Sequence, residues 1–153
     1  MTVAERLDAL GLMIPGVAAP VAAYAPAVVS GRYVQTAGQL PFVDGALAVT
    51  GKVGAQVDAD TAQDLARTAA LNGLAAVQSV AGSLDRVARV VKVTVFVASD
   101  PSFTGQPAVA NGASTLIGDV FGAAGVHARS AVGVAVLPLD APVEVELLVE
   151  LTD

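Results

Sequence analysis

The chain has no cysteine, no tryptophan and a single histidine. Without cysteine there can be no disulfide, no thiolate nucleophile and no zinc–thiolate site, which fits a reducing compartment such as the cytoplasm. The lone histidine, His127, excludes any two-histidine metal motif. Aromatic residues make up only 4%, so Ala, Val and Leu must fill the core. Basic residues are scarce as well: 8 Lys and Arg face 14 Asp and Glu, a net charge of −6. That balance disfavours nucleic acid, whose backbone is bound by clustered Lys and Arg. The longest uncharged stretch, Gly11 to Gly31, is broken by Pro15, Pro20 and Pro26, a spacing that no spanning helix tolerates cheaply. Glu5 and Asp8 stand where a signal peptide carries basic residues, so a soluble cytoplasmic chain is expected.

What is present is apolar. The 153 residues suffice for one domain with one core. Apolar residues are 54% and charged residues 14%, which excludes disorder. So little charge cannot cover so apolar a chain, and an oligomer that hides further surface is expected.

Thr2 and Glu5 have capping-box spacing, predicting a helix from Thr2 to Leu10 that Gly11 ends. A Pro- and Ala-rich extended arm follows, to about Pro26, so residues 1–20 form a helix and arm on a single domain spanning 1–153. Ala27–Ser30 and Tyr33–Thr36 read as a hairpin joined at Gly31-Arg32. Asp44-Gly45 signals a turn, with a third strand at Ala46–Val49. Asp60 to about Ala81 is helical, with Ala62, Leu65, Ala66, Ala69, Gly73, Val77 and Val80 on the packed side. Val87–Ala98 is a strand, Val91, Val93, Val95 and Val97 facing one way and Lys92, Thr94 and Phe96 the other. Gln106–Phe121 is a second long helix with Pro107 in its first turn, intrinsically weakened by Gly112 and Gly118. Two strands close the chain, Val143–Leu151 carrying Glu144, Glu146 and Glu150 on one face. The order predicts an α+β fold: one mixed sheet with helices on one face.

No phosphate loop, HExxH or basic–aromatic pattern is present. His127 and Ser130 are close in sequence, but side chains three apart on a strand point to opposite faces, so His127 reads as a loop residue at the start of the strand. Arg129 begins a strand whose same face carries only Ala131, Gly133 and Ala135. Its planar fork suits a small carboxylate held at two points, and room beside it would suit a ligand. An ordinary surface or interface ion pair is the other reading. The three strand glutamates read either as a solvated face or as a set of which one handles a proton.

Three stretches together resemble the RidA/YjgF family, also described as endoribonuclease L-PSP or translation-initiation-inhibitor proteins. They are Tyr24 with Thr36-Ala37-Gly38-Gln39-Leu40-Pro41; Val90 to Val97, like a K-x-T-V-F-V strand; and Ala128-Arg129-Ser130-Ala131-Val132 through Leu137-Pro138 to Val143-Glu144-Val145-Glu146. The resemblance implies a chorismate-mutase-like fold, a homotrimer with ligand clefts between subunits, and hydrolysis of reactive imines or enamines to 2-oxo acids and ammonia. By motif it places the carboxylate-binding arginine at Arg129 and the water-positioning glutamate at Glu144. It puts cleft contacts at Tyr24, Gly38 and, through a helix asparagine, Asn111. Ala131 stands where many members have cysteine, Ala37 where serine is usual, and His127 where an apolar residue is usual. The N-terminal arm is extra. No metal or organic cofactor is implied, and the ligand would be a small 2-imino or 2-oxo acid. A non-catalytic trimer that binds small carboxylates needs the same arginine; an endoribonuclease is the third reading, which the net charge opposes.

Overall fold

A computed structural model describes residues 1–17 and 23–153; the middle of the predicted arm, residues 18–22, lies outside the described residues. Helix α1 (Val3–Ala9) begins at the capping box: Thr2 accepts from the Glu5 N–H, and the Glu5 carboxylate accepts from the Thr2 N–H. Gly11 follows at φ +67°, the left-handed turn that stops the helix. Strands β1 (Ala27–Ser30) and β2 (Tyr33–Thr36) form the predicted antiparallel hairpin.

Beyond β2 the sequence reading needs correction. Asp44-Gly45 does turn, at φ +51° and +79°. However, the arms of that turn meet in one isolated bridge, Val43 to Ala46, and Ala46–Val49 is not a strand. The physical reason lies in the sheet: the edge of the last strand next to β2 is taken by Gln39, which exchanges both backbone hydrogen bonds with Val145 at 2.7 and 2.9 Å. The segment after Gln39 therefore leaves the sheet. Asn72 pins it, its amide donating to the Leu40 and Phe42 carbonyls at 2.9 and 3.0 Å.

Helix α2 (Ala59–Ala81) starts at Asp58, whose carboxylate accepts from the Thr61 N–H, and stops at Gly82. Its buried side is Ala62, Ala66, Ala69, Ala70, Leu74 and Val77, small enough for close approach. Val80, predicted to pack, is exposed with Gln78 and Ser79, because in the last turn the packed side is held by Val77 and Ala81, one turn apart, and Val80 falls beside it. Strand β3 (Val87–Ala98) and helix α3 (Gln106–Phe121) keep their predicted bounds. Val90, Val93, Val95 and Val97 of β3 are fully buried. Val91 is not: register shifts near it displace the early alternation and leave it half-exposed. Strands β4 (Ala128–Val134) and β5 (Val143–Leu151) complete the fold.

The sheet runs β1-β2-β5-β3-β4. Among the described strands β3 and β4 alone pair in parallel, a pairing that requires a crossover, and α3 supplies it. Helices α2 and α3 cover one face, as expected from the sequence, and α1 stands against α3. Between sheet and helices lies the main core, with Val143, Val145, Leu147 and Val149 of β5 at its centre. Each such side chain removed from water contributes about 1.5–3 kcal/mol. Among the described residues the other sheet face has no helix. There a small cluster of Leu40, Leu47, Phe96 and Val134 gathers around Ala98, Leu137 and Ala141.

Candidate functional site

Arg129 lies on the helix-covered face. It pairs in register with core-facing Val93, and its Nη1 donates to Asn111 Oδ1 at 2.7 Å and to Ser114 Oγ at 3.2 Å, both on α3. Asn111 and Ser114 are three residues apart, so one helix face presents both acceptors. Among the described residues no carboxylate pairs with Arg129, and its Nε and Nη2 take no partner. An ion pair within the chain is thus not what holds this arginine. The floor expected to be open beside it is partly occupied, although Gly133 and Ala135 stay exposed. Ala131 packs against the main core, and a Cβ at Gly133 would lie 2.9 Å from the Gln106 amide nitrogen. The small residue Gly133 lets Gln106 and Ser99 approach closely, and Arg129 stands on β4, the end strand of the sheet.

Glu144 lies on the opposite face, paired with Phe96. Gly38 covers it so closely that a Cβ there would fall 1.8 Å from the Glu144 carboxylate oxygen. Only glycine fits at position 38 with that carboxylate in place. Burial pushes the Glu144 carboxyl above the ordinary glutamate range, and the neighbouring Glu146 pushes it further in the same direction. A shallow cavity of about 240 Å³ on this face is lined by Gln35, Lys92, Thr94 and Glu146, beside Glu144 rather than over it. Tyr24 is exposed. It stands two residues before Pro26, whose carbonyl accepts from the Ala37 N–H, at the same end of the hairpin as Gly38.

The six predicted residues therefore form two groups within one chain. Arg129, Asn111 and Ala131 share one face; Glu144 and Gly38 are together, and Tyr24 stands at the same end of the hairpin as Gly38. The registers set Arg129 and Glu144 three residues apart along β3, on strands flanking it, so their Cα atoms are roughly 14 Å apart and their side chains leave opposite faces. Two side chains escaped the sequence reading: Ser114 beside Arg129, and Asn72 behind the Gly38 segment. The Asn111–Ser114 spacing was the available signal for the first. A larger cavity of about 670 Å³, between Met13–Val17, Phe42–Gly45 and α2, contains none of the six.

A five-stranded mixed sheet with two long helices on one face, and an arginine-bearing edge strand beside the second of them, matches the chorismate-mutase-like α+β class. The chain belongs to the YjgF family: residues 4–151 match the family described as "YjgF/chorismate_mutase-like, putative endoribonuclease". It is 50% identical over 152 residues to Protein TCP17 of Trypanosoma cruzi, covering 99% of this chain and 95% of the relative. The structure is similar to that of a protein from Shewanella oneidensis described as a putative endoribonuclease, with a TM-score of 0.95, 32% identity, and coverage of 99% and 100% of the two chains. It is also similar to TdcF of E. coli with bound serine, with a TM-score of 0.63, 28% identity, and coverage of 90% and 93%. No helix among the described residues is long and apolar enough to cross a membrane.

Proposed function

We propose that this protein hydrolyses small reactive 2-imino acids to 2-oxo acids and ammonia, at sites shared between neighbouring subunits of a homotrimer. The observation that carries this reading is Arg129. Its guanidinium is held on one side by Asn111 and Ser114 and has no carboxylate partner among the described residues, which leaves a two-point fork for the substrate carboxylate. That TdcF holds serine, a small carboxylate-bearing amino acid, supports a ligand of this class.

Bound at Arg129, the substrate presents its C=N carbon away from the strand edge. Glu144 of the adjacent subunit takes a proton from water as the water oxygen bonds to that carbon. Glu144 returns that proton to the nitrogen, then takes the hydroxyl proton of the resulting carbinolamine. It passes this second proton to the same nitrogen as the C–N bond breaks and the C=O forms. Ammonia thus leaves with the imine's own hydrogen and the two of the water, and Glu144 ends as a carboxylate again. A carboxyl whose proton affinity is raised by burial suits such a two-way transfer. Imines already hydrolyse in water, so positioning and one proton carrier suffice without a cofactor.

The opposite-face placement supplies the test. Arg129→Ala and Glu144→Gln chains, each inactive alone toward freshly generated 2-iminopropanoate, should regain ammonia release when mixed, unfolded and refolded together. Random assembly of equal amounts gives mixed trimers three times in four, each with one intact site of three, hence about a quarter of wild-type activity. No recovery on mixing refutes a site shared in this way. The non-catalytic reading is favoured by Ala131, which offers no polar atom beside the fork. It predicts pyruvate binding without ammonia release by the wild type.

A further inference from the structure

His127, read from sequence as a loop residue at the start of the strand, is joined to Arg129 through one hydroxyl. Its Nδ1 lies 2.6 Å from the Gly125 carbonyl oxygen, which can only accept, so the neutral ring carries its proton on Nδ1. Nε2 is then an acceptor, and the Ser114 hydroxyl donates to it at 2.9 Å. With its proton committed there, Ser114 Oγ turns its lone pairs to Arg129 Nη1 at 3.2 Å. The second hydrogen of Nη1 goes to Asn111 Oδ1 at 2.7 Å. The whole sequence of bonds has a single direction, fixed at its far end by a main-chain carbonyl.

We propose that His127 and Ser114 are positioning residues that set the plane of the Arg129 guanidinium and turn its Nε–Nη2 edge toward the ligand carboxylate. This rests on Arg129 being the carboxylate clamp, and adds what holds the clamp in orientation. Without His127 the Ser114 hydroxyl has no fixed proton acceptor, and a rotating hydroxyl competes with Arg129 as donor instead of accepting from it. The guanidinium then has one anchor, Asn111, about which its plane turns. Holding a flexible side chain ready for its ligand removes an ordering cost from binding, and its loss is worth roughly a 3- to 10-fold drop in affinity.

The test uses the full chain with pyruvate as probe. His127→Leu and Ser114→Ala should each weaken binding 3- to 10-fold, and the double variant no more than either alone, because both break one connection. His127→Gln, whose amide oxygen can accept from Ser114, should restore most of the affinity; a merely structural histidine would not be rescued in this way. Additive losses, or wild-type affinity in His127→Leu, overturn the proposal. Pyruvate affinity unchanged in Arg129→Ala instead overturns the clamp itself. A second measurement needs no ligand. As the chain's only histidine, His127 gives one unambiguous pair of imidazole nitrogen NMR signals, and the Arg129 Nη signals can be identified by their loss in Arg129→Ala. The proton should sit on Nδ1, and the Nη signals should be resolved in the wild type but averaged by rotation in Ser114→Ala and His127→Leu. A ring protonated on Nε2, or Nη signals alike in all three proteins, overturns the proposal whatever pyruvate does.

Discussion

Helix α3 contains two interior glycines whose replacement by alanine should have opposite signs. At Gly118 an added Cβ meets nothing within 4 Å. Alanine there gains helix propensity of about 0.5–1 kcal/mol, since glycine loses more backbone freedom on folding. At Gly112 the added Cβ would sit 1.9 Å from the Gln63 carbonyl oxygen and 2.8 Å from its carbon. These are main-chain atoms inside α2 and cannot swing aside, so the two helices must separate by about 1 Å or more. Overpacking of this kind costs about 1–3 kcal/mol, and a backbone obstacle belongs at the upper end. Subtracting the propensity gain leaves Gly112→Ala destabilised by about 2 kcal/mol. For a domain of this size 1 kcal/mol moves the midpoint by about 2–4 °C, so Gly118→Ala should melt about 1–4 °C higher and Gly112→Ala about 4–8 °C lower. Thermal unfolding by circular dichroism, at one fixed protein concentration, measures both. Equal shifts of the same sign would refute the claim that α2 and α3 touch backbone to backbone at Gly112.

Glu144→Gln should retain pyruvate affinity and lose about 10²–10⁴-fold in ammonia release from 2-iminopropanoate, measured in a coupled assay. It should also alter the pH dependence of stability. The folded chain holds the Glu144 proton more tightly than the unfolded chain, so this group stabilises the fold in full below the ordinary glutamate value near 4.5, and that contribution is lost as pH rises through the elevated value. Glu144→Gln should therefore gain on wild type in urea denaturation as pH rises from 4 to 7, and a constant difference would contradict the burial of the carboxyl. Arg129→Lys should bind pyruvate about 10-fold or more weakly in calorimetry, since one ammonium cannot reproduce the fork. Asn72→Ala leaves the Phe42 carbonyl without its donor and the Leu40 carbonyl with the Phe42 N–H alone, and should cost about 1–3 kcal/mol in denaturant unfolding, with Gly38 loosened over Glu144.

The features readable from sequence are those encoded locally. Thr2 with Glu5, Gly82 after α2, Pro107 in the first turn of α3 and the valine alternation of β5 each act within a few residues of themselves, and each appears where expected. Ala46–Val49 failed because a strand needs an edge to join, and Gln39 had occupied it from a distance in sequence. Val91 failed because a register shift belongs to a pair of strands. For the site, the family resemblance named Arg129 and Asn111 separately, and the structure joins them by a hydrogen bond. The resemblance could not show that Arg129 and Glu144 leave opposite sheet faces, since that follows from one parallel and one antiparallel register on β3. Nor could it show Ser114 between His127 and Arg129, a meeting made only when α3 folds onto β4.

The separation of Arg129 from Glu144 also bears on how occupancy depends on dilution. If the substrate bridges two chains, as proposed, it acts as an adhesive as well as a guest. Free-energy linkage then requires that ligand strengthen subunit association by the same factor by which association strengthens ligand binding. Dilution would weaken apparent affinity without altering a single contact. A cell making little of this protein would find it dispersed and inert, and an accumulating reactive metabolite would itself assemble the machinery that removes it.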